Sequence, residues 1–186
     1  DFNGLFTSGT WEVVTNTFVP STLVDPQWGV LLSDYFVGCG GAGTCTWTAQ
    51  YMFDPSLAQI LVQTSASACT GQLQLNLTAP LLLDEWNQVR LLVDLSNDRA
   101  QVYVNNLAVG DPFYWSDGFG NGPGTSPLSI DSLDLYANNN PLAGDRVYWD
   151  DLRVTPAPNL QVPGCGGTAT TFCTSGTSSN GCVPQI

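Results

Sequence analysis

The residue types able to do chemistry concentrate in one long stretch. Asp111 to Pro127 reads Asp-Pro-Phe-Tyr-Trp-Ser-Asp-Gly-Phe-Gly-Asn-Gly-Pro-Gly-Thr-Ser-Pro. Tyr114, Trp115 and Phe119 are candidates for stacking on pyranose rings, with Asp117 and Asn121 beside them to meet hydroxyls. The competing reading folds these rings back as a lid over one end of the fold. The same loop offers hard oxygen ligands. Asp117 and Asn121 stand at the first and fifth positions of a Gly-rich hexapeptide that ends in Gly122, as in a calcium loop. The third-position ligand is missing, and Leu128 stands where an EF-hand loop carries its final Glu. Asp117 and Asn121 are thus candidate calcium ligands, and a turn capped by Asp and Asn is the plainer reading.

Composition removes most other chemistry. Among 186 residues there is no Lys and no His, and 4 Arg stand against 16 acidic residues, for a net charge of −12. Without imidazole or ammonium, no Ser, Thr or Cys nucleophile has a partner to activate it. Nucleic acid and anionic membrane surfaces are excluded as partners on electrostatic grounds. Glycoside hydrolysis needs two carboxyls facing one bond. Asp150 and Asp151 are adjacent, and Asp131 and Asp134 differ by three, so a regular strand sends each pair to opposite faces. These arguments predict a chain that is not an enzyme.

The elements that must position these residues are strands. Thr10–Val19 alternates and ends at Pro20; Trp28–Val37, Thr44–Phe53 and Ser56–Ser65 follow; Gln72–Leu77 alternates so that Leu73, Leu75 and Leu77 face a core. Glu85–Leu95 and Ala100–Val104 flank a turn at Ser96-Asn97-Asp98-Arg99, and Asn105-Asn106 forms a two-residue hairpin turn before Leu107–Val109. Ser129–Tyr136 and Arg146–Thr155 complete the series. Turn signals every 8–12 residues or so predict an all-β, antiparallel jelly-roll sandwich, with helix limited to one short turn. Trp11, Trp47, Trp86 and Trp149 fall in alternating strands and are expected in the core. After Pro156 the composition shifts to Gly, Ser, Thr and Cys. Residues 1–156 are therefore read as the sandwich, and 157–186 as a disulfide-pinned tail or the start of a further module.

Charged residues make up only 11% of the chain, so its surface is built from neutral polar side chains. Six cysteines without a tight metal-binding pair read as three disulfides of an extracellular or cell-surface protein. Many pairings are open. The spacing favours Cys39 with Cys45 and Cys173 with Cys182, leaving Cys69 with Cys165. No apolar run approaches the roughly 18 residues of a membrane span. The chain opens Asp1-Phe2-Asn3 without an initiator Met, as a processed or excerpted chain would. Asn76-Leu77-Thr78 fits a glycosylation sequon.

The run from Asp84 to Leu95, followed by Val102-Tyr103-Val104-Asn105-Asn106, resembles the laminin G / concanavalin A-like lectin-glucanase superfamily. A Trp opens the strand, an Asp closes it, and an Asn-containing hairpin follows. Leu133–Tyr136 and Val147–Val154 resemble the family's last strands, so the resemblance spans roughly residues 10–155. It implies a concanavalin A-like sandwich, with calcium on rim loops in many members. Its laminarinase-type glycosidases carry Glu-x-Asp-x-x-Glu on one strand; here Glu12 and Glu85 are the only glutamates and neither lies in that pattern. Thr171–Pro184 is similar to a Cys-bounded motif of large secreted planctomycete-type proteins, and the front end looks short of family strands. That shortening implies an open sheet edge available for self-association.

The combined expectation is a non-catalytic extracellular sandwich that binds glycan or matrix polymer, without membrane insertion. The alternatives are a self-assembling subunit of a filament or sheath, and a degenerate glycoside hydrolase.

Overall fold

A computed structural model of the chain describes residues 6–24, 27–32, 47–117, 127–137 and 146–165. These form an antiparallel β-sandwich of the concanavalin A-like jelly-roll class, as the strand pattern predicts. The strands are β1 (Thr10–Phe18), β2 (Gln27–Leu32), β3 (Trp47–Asp54), β4 (Gln59–Ala66), β5 (Leu73–Pro80), β6 (Trp86–Asp94), β7 (Arg99–Val104), β8 (Leu107–Phe113), β9 (Ser132–Ala137) and β10 (Tyr148–Pro156). One sheet runs β10-β1-β6-β7-β8 and the other β5-β4-β3-β2-β9. A single 3₁₀ turn, Trp115–Asp117, is the one helical element among the described residues. No helix there is long and apolar enough to cross a membrane.

Local chemistry sets the turns. Asp54 and Asp94 each close a strand and accept backbone N–H groups two and three residues on, from Ser56 and Leu57 and from Ser96 and Asn97. Ala58 and Asp98 then take positive φ, which completes the same turn twice. Asn105 and Asn106 have φ of 48° and 68°, the geometry that matches the twist of a two-residue hairpin.

The core lies between the sheets. Val13 and Val19 of the β1 segment, Ile60 and Val62 of β4, Val89, Leu91 and Val93 of β6, and Val102 and Val104 of β7 are all buried there. A polar contact crosses it: Thr15 Oγ1 and Tyr51 OH are 3.0 Å apart. Gly29 of β2 lies opposite Tyr51, and a Cβ at Gly29 would fall 2.6 Å from Tyr51 Cζ. The ring therefore occupies the volume that a side chain at 29 would need. Tyr51, Phe53 and Trp149 form an aromatic trio with centroids 5.6–6.2 Å apart, joining β3 to β10 of the facing sheet.

On the other flank the two edge strands β5 and β8 are tied by one side chain. Gln74 Oε1 accepts from Asp111 N at 2.7 Å while its Nε2 donates to Asp111 O at 3.1 Å. The side-chain amide thus pairs with backbone as another strand would. This overturns the expectation for β5. The register against β4 shifts twice, between Val62 and Thr64 and again between Thr64 and Ala66. Alternation breaks there, so Gln74 turns inward and Leu73 is 68% exposed. Leu77 does pack on the core.

Beyond β10 the chain crosses the outer face of the first sheet. Ala157, Leu160 and Val162 pack with Leu92 and Tyr103. Cys165 then forms a disulfide with Cys69, 96 residues earlier in the sequence. Cys39, Cys45, Cys173 and Cys182 lie outside the described residues.

Two outcomes follow. Gly110 has φ +69°, and a Cβ there would meet Leu77 and fall 2.6 Å from Gln74 Oε1. Gly110→Ala is expected to destabilise by about 2–3 kcal/mol in chemical denaturation, from backbone strain and overpacking together. Burial pushes the Tyr51 phenol well above its ordinary pKa, against a smaller lowering by the Thr15 bond. A raised folded-state pKa adds stability that is complete below the unfolded value of 10.0 and is lost as pH rises toward the folded one. Tyr51→Phe is expected to cost about 1–2 kcal/mol at neutral pH, because Thr15 loses its buried partner. It should also flatten the fall in stability above pH 10, measured by urea melts across that range.

Candidate functional site

The long loop does not present its aromatics as one platform. Trp115 is fully buried in the core and its indole N–H donates to Ser129 O at 2.7 Å. For this residue the lid reading holds, and its place among the ligand candidates is corrected: an indole with both faces packed cannot stack on a sugar. Tyr114 is half-buried beneath the Arg99 guanidinium, whose carbon lies 4.1 Å from the ring centroid. Its carbonyl accepts from Ser65 Oγ at 2.9 Å. Asp117 is buried. Ser116 donates through both N and Oγ to the Asp98 carboxylate, at 2.8 and 2.6 Å. Tyr114, Ser116 and Asp117 line a cleft of about 410 Å³ with Asp98, Ser67, Ala66 and Gly71. Of the predicted residues this cleft unites Tyr114 and Asp117. Phe119 and Asn121 lie outside the described residues, so the calcium pairing of Asp117 with Asn121 does too. Among the described residues no three Asp, Glu or Cys side chains gather where they could hold a cation.

A second site, unforeseen in the sequence reading, lies on the outer face of the sheet β10-β1-β6-β7-β8. Along β1 the odd positions Trp11, Val13 and Thr15 turn to the core, so Glu12, Val14, Asn16 and Phe18 turn out. Phe18 is in register with Trp86 of β6 and Tyr148 of β10. The Phe18 ring centroid is 5.7 Å from Trp86 and 6.1 Å from Tyr148, edge to face with each. Trp86 is 50% and Tyr148 49% exposed. The result is a row of three aromatic rings across three strands. Trp86 was expected in the core; it is corrected to a surface residue. The signal was present, since Trp86 shares strand parity with Gln88, Arg90 and Asp94.

Polar side chains form a parallel row one residue pair along the strands. Gln88 Nε2 donates to Asn16 Oδ1 at 3.3 Å, and Asn16 Nδ2 donates to Asp151 Oδ2 at 3.0 Å. Asp150 stands opposite Asn16 in register and its Oδ1 accepts from Asp151 N at 2.8 Å. Asp151 has φ 51° at a register shift, a bulge in β10. Strict alternation therefore fails here, and the Asp151 carboxylate reaches the outward-facing Asn16 instead of pointing to the core.

The turns around the row are pinned. Buried Asn87 donates to Leu82 O at 2.7 Å and accepts from Leu82 N at 2.9 Å, fixing the segment that leads into Trp86. Asp84, with φ 58°, donates its N–H to Val19 O and accepts from Ser21 N through Oδ1, both at 2.9 Å. The Ser21 backbone bond, helped by the Ser21 side chain, holds the Asp84 carboxyl below its ordinary range. These contacts join the end of β1 to the start of β6 and keep Phe18 beside Trp86.

No family model and no curated protein matches the chain. Solved structures do. An endo-β-1,4-glucuronan lyase from the fungus Trichoderma reesei is similar at 13% identity with a TM-score of 0.51, over 84% of this chain and 73% of the lyase. A Trypanosoma rangeli sialidase is similar at 15% identity with a TM-score of 0.48, over 78% of this chain; the chain spans about a fifth (20%) of the sialidase. Sheep galectin-11 is similar at 14% identity with a TM-score of 0.39, over 78% of this chain and 92% of the galectin. At these identities the likeness is one of fold. The expectation that the chain is not an enzyme is corrected by this finding. A lyase shares the sandwich, so the fold is one on which catalysis occurs. The supporting argument from Asp150 and Asp151 assumed strict alternation, which the bulge at Asp151 breaks.

The placement of the two tryptophans is directly measurable. In acrylamide quenching, Trp86→Phe is expected to remove a readily quenched component of the emission. Trp115→Phe should remove a protected one and lower stability by about 1–2 kcal/mol through loss of the buried N–H bond.

Proposed function

We propose that this chain is an extracellular carbohydrate-binding β-sandwich that holds a glycan on the Tyr148–Phe18–Trp86 row. The observation that carries the reading is the row itself: two large rings left half-exposed on a sheet face, in register with a third. Apolar faces of pyranose rings stack on such surfaces, and nearby amides and carboxylates orient the hydroxyls. Gln88, Asn16, Asp150 and Asp151 offer both donors and acceptors one row away. The shared fold of a lyase that acts on a β-1,4-glucuronan supports a scaffold suited to polysaccharide. The Cys69–Cys165 disulfide supports an oxidising compartment, where such polymers are met.

Affinity electrophoresis through gels cast with soluble polysaccharides tests this. At least one polysaccharide is expected to retard the wild-type chain. Trp86→Ala and Tyr148→Ala should each weaken retardation about tenfold, the scale of a central aromatic contact, with an unchanged circular dichroism spectrum. Retardation of both variants equal to that of the wild type, or none of the wild type by any polysaccharide, overturns the reading.

A further inference from the structure

Resting on that reading, we infer that the row selects an extended, uncharged β-1,4-linked hexose chain lying across the strands, with every second sugar stacked on a ring. The spacing is the first ground. Trp86 and Tyr148 sit on strands β6 and β10, which flank β1, so they are two strand intervals apart, about 9.6 Å. The centroid distances to Phe18 set an upper limit of about 12 Å on their separation. In an extended β-1,4-linked hexose chain successive residues turn opposite faces, and residues one and three present the same face at nearly this interval. A glycan running along the strands would meet one ring only.

The second ground is the polar row. It lies two residues along each strand from the aromatic row, about 7 Å away, and is parallel to it. Amide and carboxylate groups from β6, β1 and β10 thus recur beside the stacked chain at the strand interval, matching hydroxyls that recur along a linear glycan. An α-1,4-linked chain coils and cannot keep two residues flat on rings this far apart.

The third ground is charge. Glu85, Asp150 and Asp151 are exposed at the row. Arg153 of β10 and Arg146, two residues before that strand, are exposed cations of the same segment. Three carboxylates against two guanidinium groups leave no cationic track, and the chain as a whole carries −12. A polyuronate would bring its carboxylates against Asp150 and Asp151 at a site whose charge balance is already negative. The site therefore differs in its substrate class from the glucuronan lyase that shares its fold.

Isothermal calorimetry on the 186-residue chain at physiological salt separates the possibilities, using cellobiose, cellotetraose, cellohexaose, mannohexaose, maltohexaose and oligoglucuronate. Cellohexaose or mannohexaose is expected to bind at least tenfold more tightly than maltohexaose or oligoglucuronate. Affinity in the cello series should rise about tenfold from disaccharide to tetrasaccharide, as the second ring is engaged. Trp86→Ala and Tyr148→Ala should each abolish that rise. Equal or tighter binding of maltohexaose or oligoglucuronate, or no dependence on length, overturns this inference and leaves the row a carbohydrate site. Absence of binding by every ligand, joined to absence of retardation by any polysaccharide, overturns both.

Discussion

The outer face of this sandwich depends on the phase of a single strand, and the Thr15–Tyr51 contact holds that phase. β1 lies between β10 and β6. Its odd positions supply Val13 and Thr15 to the core and its even positions supply Asn16 and Phe18 to the surface. A slip of one residue would exchange the two sets and carry Glu12 and Asn16 into an apolar interior. The Thr15 hydroxyl, 3.0 Å from a phenol of the opposite sheet, discriminates strongly between neighbouring registers, because either group left alone in the core is an unsatisfied polar atom. Gly29 is part of the same constraint, since it leaves the volume into which the Tyr51 ring fits.

This dependence explains which features were legible in the sequence. Strand identity, the Asn105-Asn106 hairpin, the short helical turn and the Cys69–Cys165 bridge are local or arithmetical, and they could be read from periodicity, turn chemistry and cysteine spacing. Side-chain direction in regular strands was also legible, although Trp86 was misjudged by weighing its apolar character above its parity. What escaped were the departures from regularity. Leu73 turned outward because two register shifts lie between it and the regular part of β5. Asp151 reached the outer face because a left-handed residue doubled the strand at that point. Bulges are set by the partner strand, so one strand's alternation cannot announce them. The aromatic row escaped for a related reason. Phe18, Trp86 and Tyr148 are separated by more than sixty residues at each step and meet only through register. The long loop looked functional because its aromatics are adjacent in sequence, yet Trp115 serves the core there.

The absence of Lys makes edge protection a distinct problem, because charged side chains, Lys above all, commonly guard exposed sheet edges. Here β5, β8 and β10 carry other devices. Gln74 supplies a side-chain amide in place of a neighbouring strand and ties β5 to β8. β10, the edge beside β1, carries the Asp151 bulge and a run of exposed residues from Asp150 to Arg153. A bulge twists an edge strand out of the flat geometry that a second chain needs for pairing. The front of the chain, read as short of strands, does not leave β1 open, since β1 is covered on both sides by β10 and β6.

The same bulge connects edge protection to the surface chemistry. In an unbroken β10 one of the two carboxylates would face the core side, against the trio of Tyr51, Phe53 and Trp149. Doubling the strand at Asp151 removes that burial and delivers the carboxylate to the Asn16 amide. The segment after Pro156 completes the arrangement. Leu160 and Val162 cover Leu92 and Tyr103 on one half of the outer face, and the disulfide fixes the end of this cover to the β4–β5 turn. The other half, bearing Phe18, Trp86 and Tyr148, carries no such cover among the described residues. One sheet face is thereby divided into a sealed part and an accessible part. The division runs parallel to the rows across the strands, which leaves the open strip long in the direction in which its aromatic and polar residues repeat.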